Sequence, residues 1–164
     1  MFVVAIAASV SSLTVAAQDK PASPKAEATG TVGGAKVKVV YHQPSMRGRK
    51  VMGGLVPYGE VWRTGANDAT TIEFDKAVKV EGKDLAAGKY ALFTIPGENE
   101  WTIIFNKDVK QWGAYSYKQA DDVLRVTVKP TKTSAPVETF VINVGSDQIE
   151  LKWENTSVPV KIKG

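Results

Sequence analysis

The sequence predicts an all-β protein, an antiparallel β-sandwich or flattened barrel of about nine strands. Three observations lead there. Apolar and polar residues alternate with period two in segment after segment, the pattern of strands with one buried face. The alternating runs are short and are broken by Gly, Pro, Asn and Asp. No segment reads as a long helix, so strands do not alternate with helices as a doubly wound α/β sheet requires.

A chain of 164 residues is the size of one domain. Residues 1–17 are expected to be a secretory signal. Their apolar run from Phe2 to Ala17 is short, contains serine and ends in Val15-Ala16-Ala17, small residues suited to signal peptidase. The expectation is therefore an exported protein, periplasmic or extracellular, with no stable membrane insertion. Residues 18–34, QDKPASPKAEATGTVGG, hold no aromatic residue and one large aliphatic, Val32. They read as a flexible leader with too little apolar surface to order itself. The sandwich domain is placed at 35–164.

The strands follow in order. Val37, Val39 and Tyr41 alternate with Lys36, Lys38 and Val40. Ile72 and Phe74 alternate with Thr71, Glu73 and Asp75, and Val78 and Val80 lead to a turn at Glu81-Gly82-Lys83. Lys89 to Ile95 is a β-rich run closed by Pro96-Gly97, which predicts a hairpin into the face formed by Trp101, Ile103 and Phe105. Between 108 and 120 there is room for one short helical turn at most. Leu124, Val126 and Val128 form the next face, then Phe140, Ile142 and Val144, then Ile149, Leu151 and Trp153, and last Val158, Val160 and Ile162. Trp101 and Trp153 lie on apolar faces and are expected in the core.

Composition excludes several chemistries. There is no cysteine, so disulfides, thiolate metal sites and cysteine nucleophiles are absent. A single histidine, His42, cannot build a multi-histidine zinc centre within one chain. No Gly-x-Ser-x-Gly elbow and no phosphate-binding glycine loop occurs. No catalytic set, metal or cofactor is expected. The net charge of +4 is uneven. Six basic residues between 36 and 63 face Glu60 alone, a local net of +5. Such a patch suits an anionic partner. A nucleic acid is not the expected partner, because the basic charge is local and the protein is read as exported.

The densest chemistry is in Ser45 to Asn67, SMRGRKVMGGLVPYGEVWRTGAN. It holds three of the four arginines, with Tyr58 and Trp62. Guanidinium groups present a planar fork of donors suited to carboxylate or phosphate. The candidate ligand-binding residues are Arg47, Arg49, Tyr58, Trp62, Arg63 and Asn67, joined by Trp112 and Tyr115 from the loop sequence QWGAYSY. Each has a plainer reading. The arginines could pair internally with Asp68, Asp121 or Asp122, Trp62 could plug the core, and the loop aromatics could cover one end of the sandwich.

The order of these motifs, PSMRGRKVMGGLVPYGEVWRTGAN, DLAAGKYALFTIPGENEWTIIFNK, QWGAYSY and DDVLRVTVKP, resembles the bacterial domain-of-unknown-function family 2911, frequent in Bacteroidetes-type bacteria. The resemblance spans Val37 to Asn155. It implies an exported β-rich domain with no established activity, and its recurring residues fall here on Arg47, Arg49, Trp62, Arg63, Asn67, Trp101, Asn106, Trp112 and Asp121, among others.

The expected function is a non-catalytic module binding a glycan or a small anionic ligand. One alternative is a carboxylate-dependent hydrolase of envelope or glycan substrates, using a pair from Glu60, Asp68, Asp121 and Asp122. The other is a structural envelope protein with no small ligand.

Overall fold

The computed structural model describes residues 22–164, so the expected signal at 1–17 lies outside the described residues. Ten strands form two antiparallel sheets. They are β1 (Lys25–Val32), β2 (Ala35–His42), β3 (Thr71–Phe74), β4 (Val78–Val80), β5 (Lys83–Leu85), β6 (Gly88–Ile95), β7 (Trp101–Asn106), β8 (Asp122–Val128), β9 (Thr131–Val144) and β10 (Gln148–Lys163). The first sheet has the order β1-β2-β3-β6-β7-β8 and the second β5-β4-β10-β9. The sheets remain separate, so the molecule is a sandwich and not a flattened barrel. Among the described residues one 3-10 turn, Gln119–Asp121, is the helical content. Among the described residues no helix is long and apolar enough to cross a membrane.

Period-two alternation fills the space between the sheets. Val37, Val39 and Tyr41 of β2, Ile72 and Phe74 of β3, and Ile149, Leu151 and Trp153 of β10 all face the main core. An aromatic cluster of Trp62, Trp101, Phe140 and Trp153 occupies one end. Trp62 contacts the other three rings at centroid distances of 6.2, 5.1 and 6.0 Å. Such pairs contribute roughly 0.5–1.5 kcal/mol each beyond simple burial.

Two sequence readings need correction. Residues 25–32 are not part of a flexible leader. They form β1, in register with β2 from Lys25↔His42 to Val32↔Ala35, and Val32 is fully buried. Small residues suffice there because β1 lies close to β9: a Cβ on Gly30 would come within 2.9 Å of a Val144 methyl. The second correction concerns the C-terminal end, which is one strand and not two. β10 carries register shifts between Lys152 and Glu154 and between Glu154 and Thr156. These bulges move the buried face from Ile149, Leu151 and Trp153 to Val158, Val160 and Ile162.

The first sheet also carries a small second core on its outer face. Ala91 and Phe93 of β6 and Ile104 of β7 pack there against Ala69, with Val61, Ala114 and Tyr117 around them. The two irregular segments 43–70 and 107–118 supply that cover. This is why β6 reads as a nearly continuous apolar run. The 43–70 segment first bridges to the edge of β9, where Ser45 pairs with Thr139. It then returns to β6, where Trp62 exchanges backbone hydrogen bonds of 2.7 and 3.0 Å with Thr94.

Candidate functional site

The segment from Pro44 to Asn67 is positioned by contacts far away in sequence. The backbone N–H of Met46 donates to the Glu138 carbonyl at 2.9 Å, and that of Arg47 to Glu138 Oε1 at 3.0 Å. The Glu154 carboxylate receives the N–H groups of Val51 at 2.6 Å and Met52 at 3.3 Å. Near the end of the segment Gly65 passes close to β2, where a Cβ would meet the His42 carbonyl oxygen at 2.9 Å. Left-handed backbone at Arg47, Thr64 and Asn67 (φ 49°, 59° and 57°) bends the chain. Asparagine tolerates this, whereas a β-branched threonine does not. Thr64 is held there by Thr70 Oγ1, which donates to its carbonyl at 2.6 Å. Strain of roughly 1–3 kcal/mol at such a residue persists only where its surroundings enforce it.

The result is a cavity of about 350 Å³ lined by Arg47, Arg49, Arg63, Asn67, Trp62 and Trp153, among others. Among the described residues its lining holds no Asp or Glu. Both tryptophans are buried and their indole N–H groups are already used, Trp62 on the Gly65 carbonyl at 3.2 Å and Trp153 on the Glu138 carbonyl at 3.0 Å. Trp62 is therefore a core residue with one side toward the cavity.

The three arginines differ. Arg49 is exposed and braced by its own turn, donating from Nε to the Met46 carbonyl at 3.0 Å and from Nη2 to the Ser45 carbonyl at 2.9 Å. Arg47 is exposed and makes a long 3.4 Å contact to the Ala22 carbonyl. Arg63 is half-buried, and its Nε is buried with no hydrogen-bond partner. Burial lowers the pKa of Arg63, and the neighbouring Tyr115 hydroxyl opposes that shift in part. None of the three forms an ion pair among the described residues. The acids considered as internal partners are engaged elsewhere or lie apart. Asp122 binds Arg125 at 2.7 Å and Tyr117 at 2.6 Å, Asp121 binds Lys107 at 3.4 Å, and Asp68 lines a different cavity.

The QWGAYSY loop joins this site directly. Gly113 donates its N–H to the Asn67 carbonyl at 2.9 Å, Asp68 bridges to Trp112, and Ala69 donates to the Gln111 carbonyl at 2.9 Å. Residues 67–69 and 111–113 thus form a short antiparallel ladder. Trp112 and Tyr115 stand beyond it with their rings stacked, centroids 5.8 Å apart and planes within 7°. Of the eight predicted site residues, five share the arginine cavity and these two occupy the adjoining loop. Tyr58 lies apart, in a recess of about 300 Å³ with Met52, Glu98 and Trp101.

Sequence reasoning missed the supports. Glu138 and Glu154 hold the arginine segment from 91 and 103 residues away. Gln111 is buried and donates to Asn106 Oδ1 at 3.1 Å and the Asp108 carbonyl at 2.7 Å, fixing the base of the aromatic loop. Only folding brings these residues to the site. Among the described residues no three His, Asp or Glu side chains gather as a metal-ligand set.

No curated protein and no solved structure matches the chain. A family model does, over residues 23–162, which include β1 and all but the last residue of β10, and the chain accordingly belongs to the family described as Protein of unknown function (DUF2911).

Proposed function

We propose that this protein is a non-catalytic binding module that holds a small anionic ligand, or the acidic group of a glycan, in the cavity of Arg47, Arg49 and Arg63. The observation that carries this reading is that Arg47, Arg49 and Arg63, none of them ion-paired among the described residues, line one recess whose described lining holds no acid. A guanidinium fork matches a carboxylate, sulfate or phosphate with two parallel hydrogen bonds. Arg63 favours such a ligand most, because its buried Nε lacks the acceptor that an anion would supply. Asn67 adds a side chain able both to donate and to accept. The reading of residues 1–17 as a secretory signal would place this binding outside the cytoplasm.

The hydrolase alternative has weaker support. Glycoside cleavage needs two carboxyl groups about 5–10 Å apart across the scissile bond. Asp121 and Asp122 are tied to Lys107 and Arg125, and Asp68 is the one acid among the described residues lining its own cavity.

The test is a calorimetric titration with inorganic sulfate and with glucuronate. Arg63→Ala should weaken both by about tenfold or more, in line with the roughly 1.5–3 kcal/mol of a charge-assisted hydrogen bond. Arg125→Ala, outside the cavity, should leave affinity unchanged. Equal affinity in wild type and Arg63→Ala would remove Arg63 from the site.

A further inference from the structure

The ligand class can be narrowed from the surface beside the arginine cavity. Trp112 is 59% exposed and Tyr115 is 86% exposed, far more than the other aromatic residues of this loop and core. Exposed rings of this size usually collapse onto the body of a protein, because each forfeits burial of a large apolar surface. These two are instead arranged against each other, at 5.8 Å and 7°. The backbone is built for that arrangement. Gly113, between them, has φ 64°, and a Cβ there would press on the Tyr115 ring at 3.2 Å. The loop base is rigid, held by the buried Gln111 and by the ladder to Asn67 and Ala69. The same ladder ties the backbone of this loop to the rim of the anion cavity, while the Trp112 side chain lines the neighbouring cavity beside Asp68. Asn67, a cavity residue, accepts the Gly113 N–H through its carbonyl.

We infer that the ligand is an acidic oligosaccharide, whose carboxylate or sulfate enters the arginine cavity while an adjoining sugar ring packs on the open outer face of the Trp112–Tyr115 stack. The inference rests on the anion-binding reading above and adds the second contact. An aromatic face carries negative quadrupole charge and is apolar. The C–H face of a pyranose is apolar with partial positive charge, so the two surfaces match. A free anion has no use for the platform, and a neutral glycan has no use for the guanidinium groups. Only a molecule with both parts satisfies both surfaces.

The experiment separates the two contacts. Wild type, Trp112→Ala and Tyr115→Ala are titrated with inorganic sulfate, with glucuronate, with hyaluronan, alginate and heparin oligosaccharides, and with a cellulose oligosaccharide of equal length. Both replaced side chains are exposed, and far-ultraviolet circular dichroism with thermal melting verifies that the variants are folded. At least one acidic oligosaccharide should bind wild type more tightly than glucuronate does. Trp112→Ala should remove that advantage, a loss of about tenfold for one stacked ring, bringing the oligosaccharide down to the affinity of glucuronate. The cellulose oligosaccharide should bind far more weakly than its acidic counterparts. If no acidic oligosaccharide exceeds glucuronate, or if Trp112→Ala and Tyr115→Ala bind it as wild type does, the platform is not part of the site and the inference fails, while the arginine reading stands. If neither sulfate nor glucuronate nor any oligosaccharide binds, both fail together.

Discussion

Glu154 illustrates how a side chain outside the cavity sets its shape. It sits between the two bulges of β10 in left-handed backbone, φ 54°, and turns its carboxylate onto the N–H groups of Val51 and Met52. Val51 is fully buried, so its N–H has no water to fall back on. Removing the acceptor leaves a buried donor unsatisfied, at roughly 1–3 kcal/mol. Glu154→Ala should therefore lower the unfolding free energy by about that amount, read as a lower urea midpoint, and should also weaken sulfate binding as the 50–56 turn loosens. A midpoint equal to wild type would mean that the turn holds itself. The density of Arg47, Arg49 and Arg63 was legible in the sequence because it is local. Glu154 was not, because 103 residues separate it from the groups it serves. Trp62 was open to two readings for a related cause. Its neighbours Glu60, Val61, Arg63 and Thr64 show no clean alternation, while its packing partners Trp101, Phe140 and Trp153 come from three separate strands.

At the level of elements, β1 decides how the first sheet ends. Its inward side offers Ala26, Ala28 and Gly30, residues too small to register as a buried face. Their size follows from the close approach of β9 at Val144, which leaves no room for a larger side chain at Gly30. A composition-based reading therefore mistakes a tightly fitted strand for an unfolded leader. Strands with large inward residues, such as β2, β3 and β7, were legible as they stand. The fused β10 was not, since its bulges shift the alternation midway and imitate a turn. Deleting residues 1–32 should cost the eight-residue ladder to β2 and the burial of Val32, and should expose β2 as an open edge prone to pairing between molecules. The expected outcome is a lower melting temperature and aggregation on size-exclusion chromatography. A monomer melting like the full chain would show that β1 adds nothing to the fold.

Over the whole molecule, the tyrosines tie stability to pH. Tyr58, Tyr90 and Tyr117 all have pKa values raised above the ordinary 10.0, in each case mainly by burial. Glu98 and Glu154 add to the effect at Tyr58, and the hydrogen bond to Asp122 adds to it at Tyr117. A phenol that is harder to ionise in the folded chain favours folding wherever the unfolded chain is still protonated, that is, below 10.0. Above that value the unfolded chain releases protons that the folded chain retains. Stability then falls with rising pH, by up to about 1.4 kcal/mol per pH unit for each retained proton, until the folded phenols ionise in turn. Denaturant midpoints should be level from about pH 7 to about pH 9 and decline above about pH 10. Tyr90 allows the cause to be isolated, because its hydroxyl makes one hydrogen bond among the described residues, to the Ala86 carbonyl at 2.7 Å. Tyr90→Phe should lose about 1 kcal/mol at neutral pH with that bond. It should also decline less steeply in alkali, so that the two curves converge as pH rises. Parallel curves would assign the alkaline loss to other groups, and a steeper decline in Tyr90→Phe would contradict the direction of the shift.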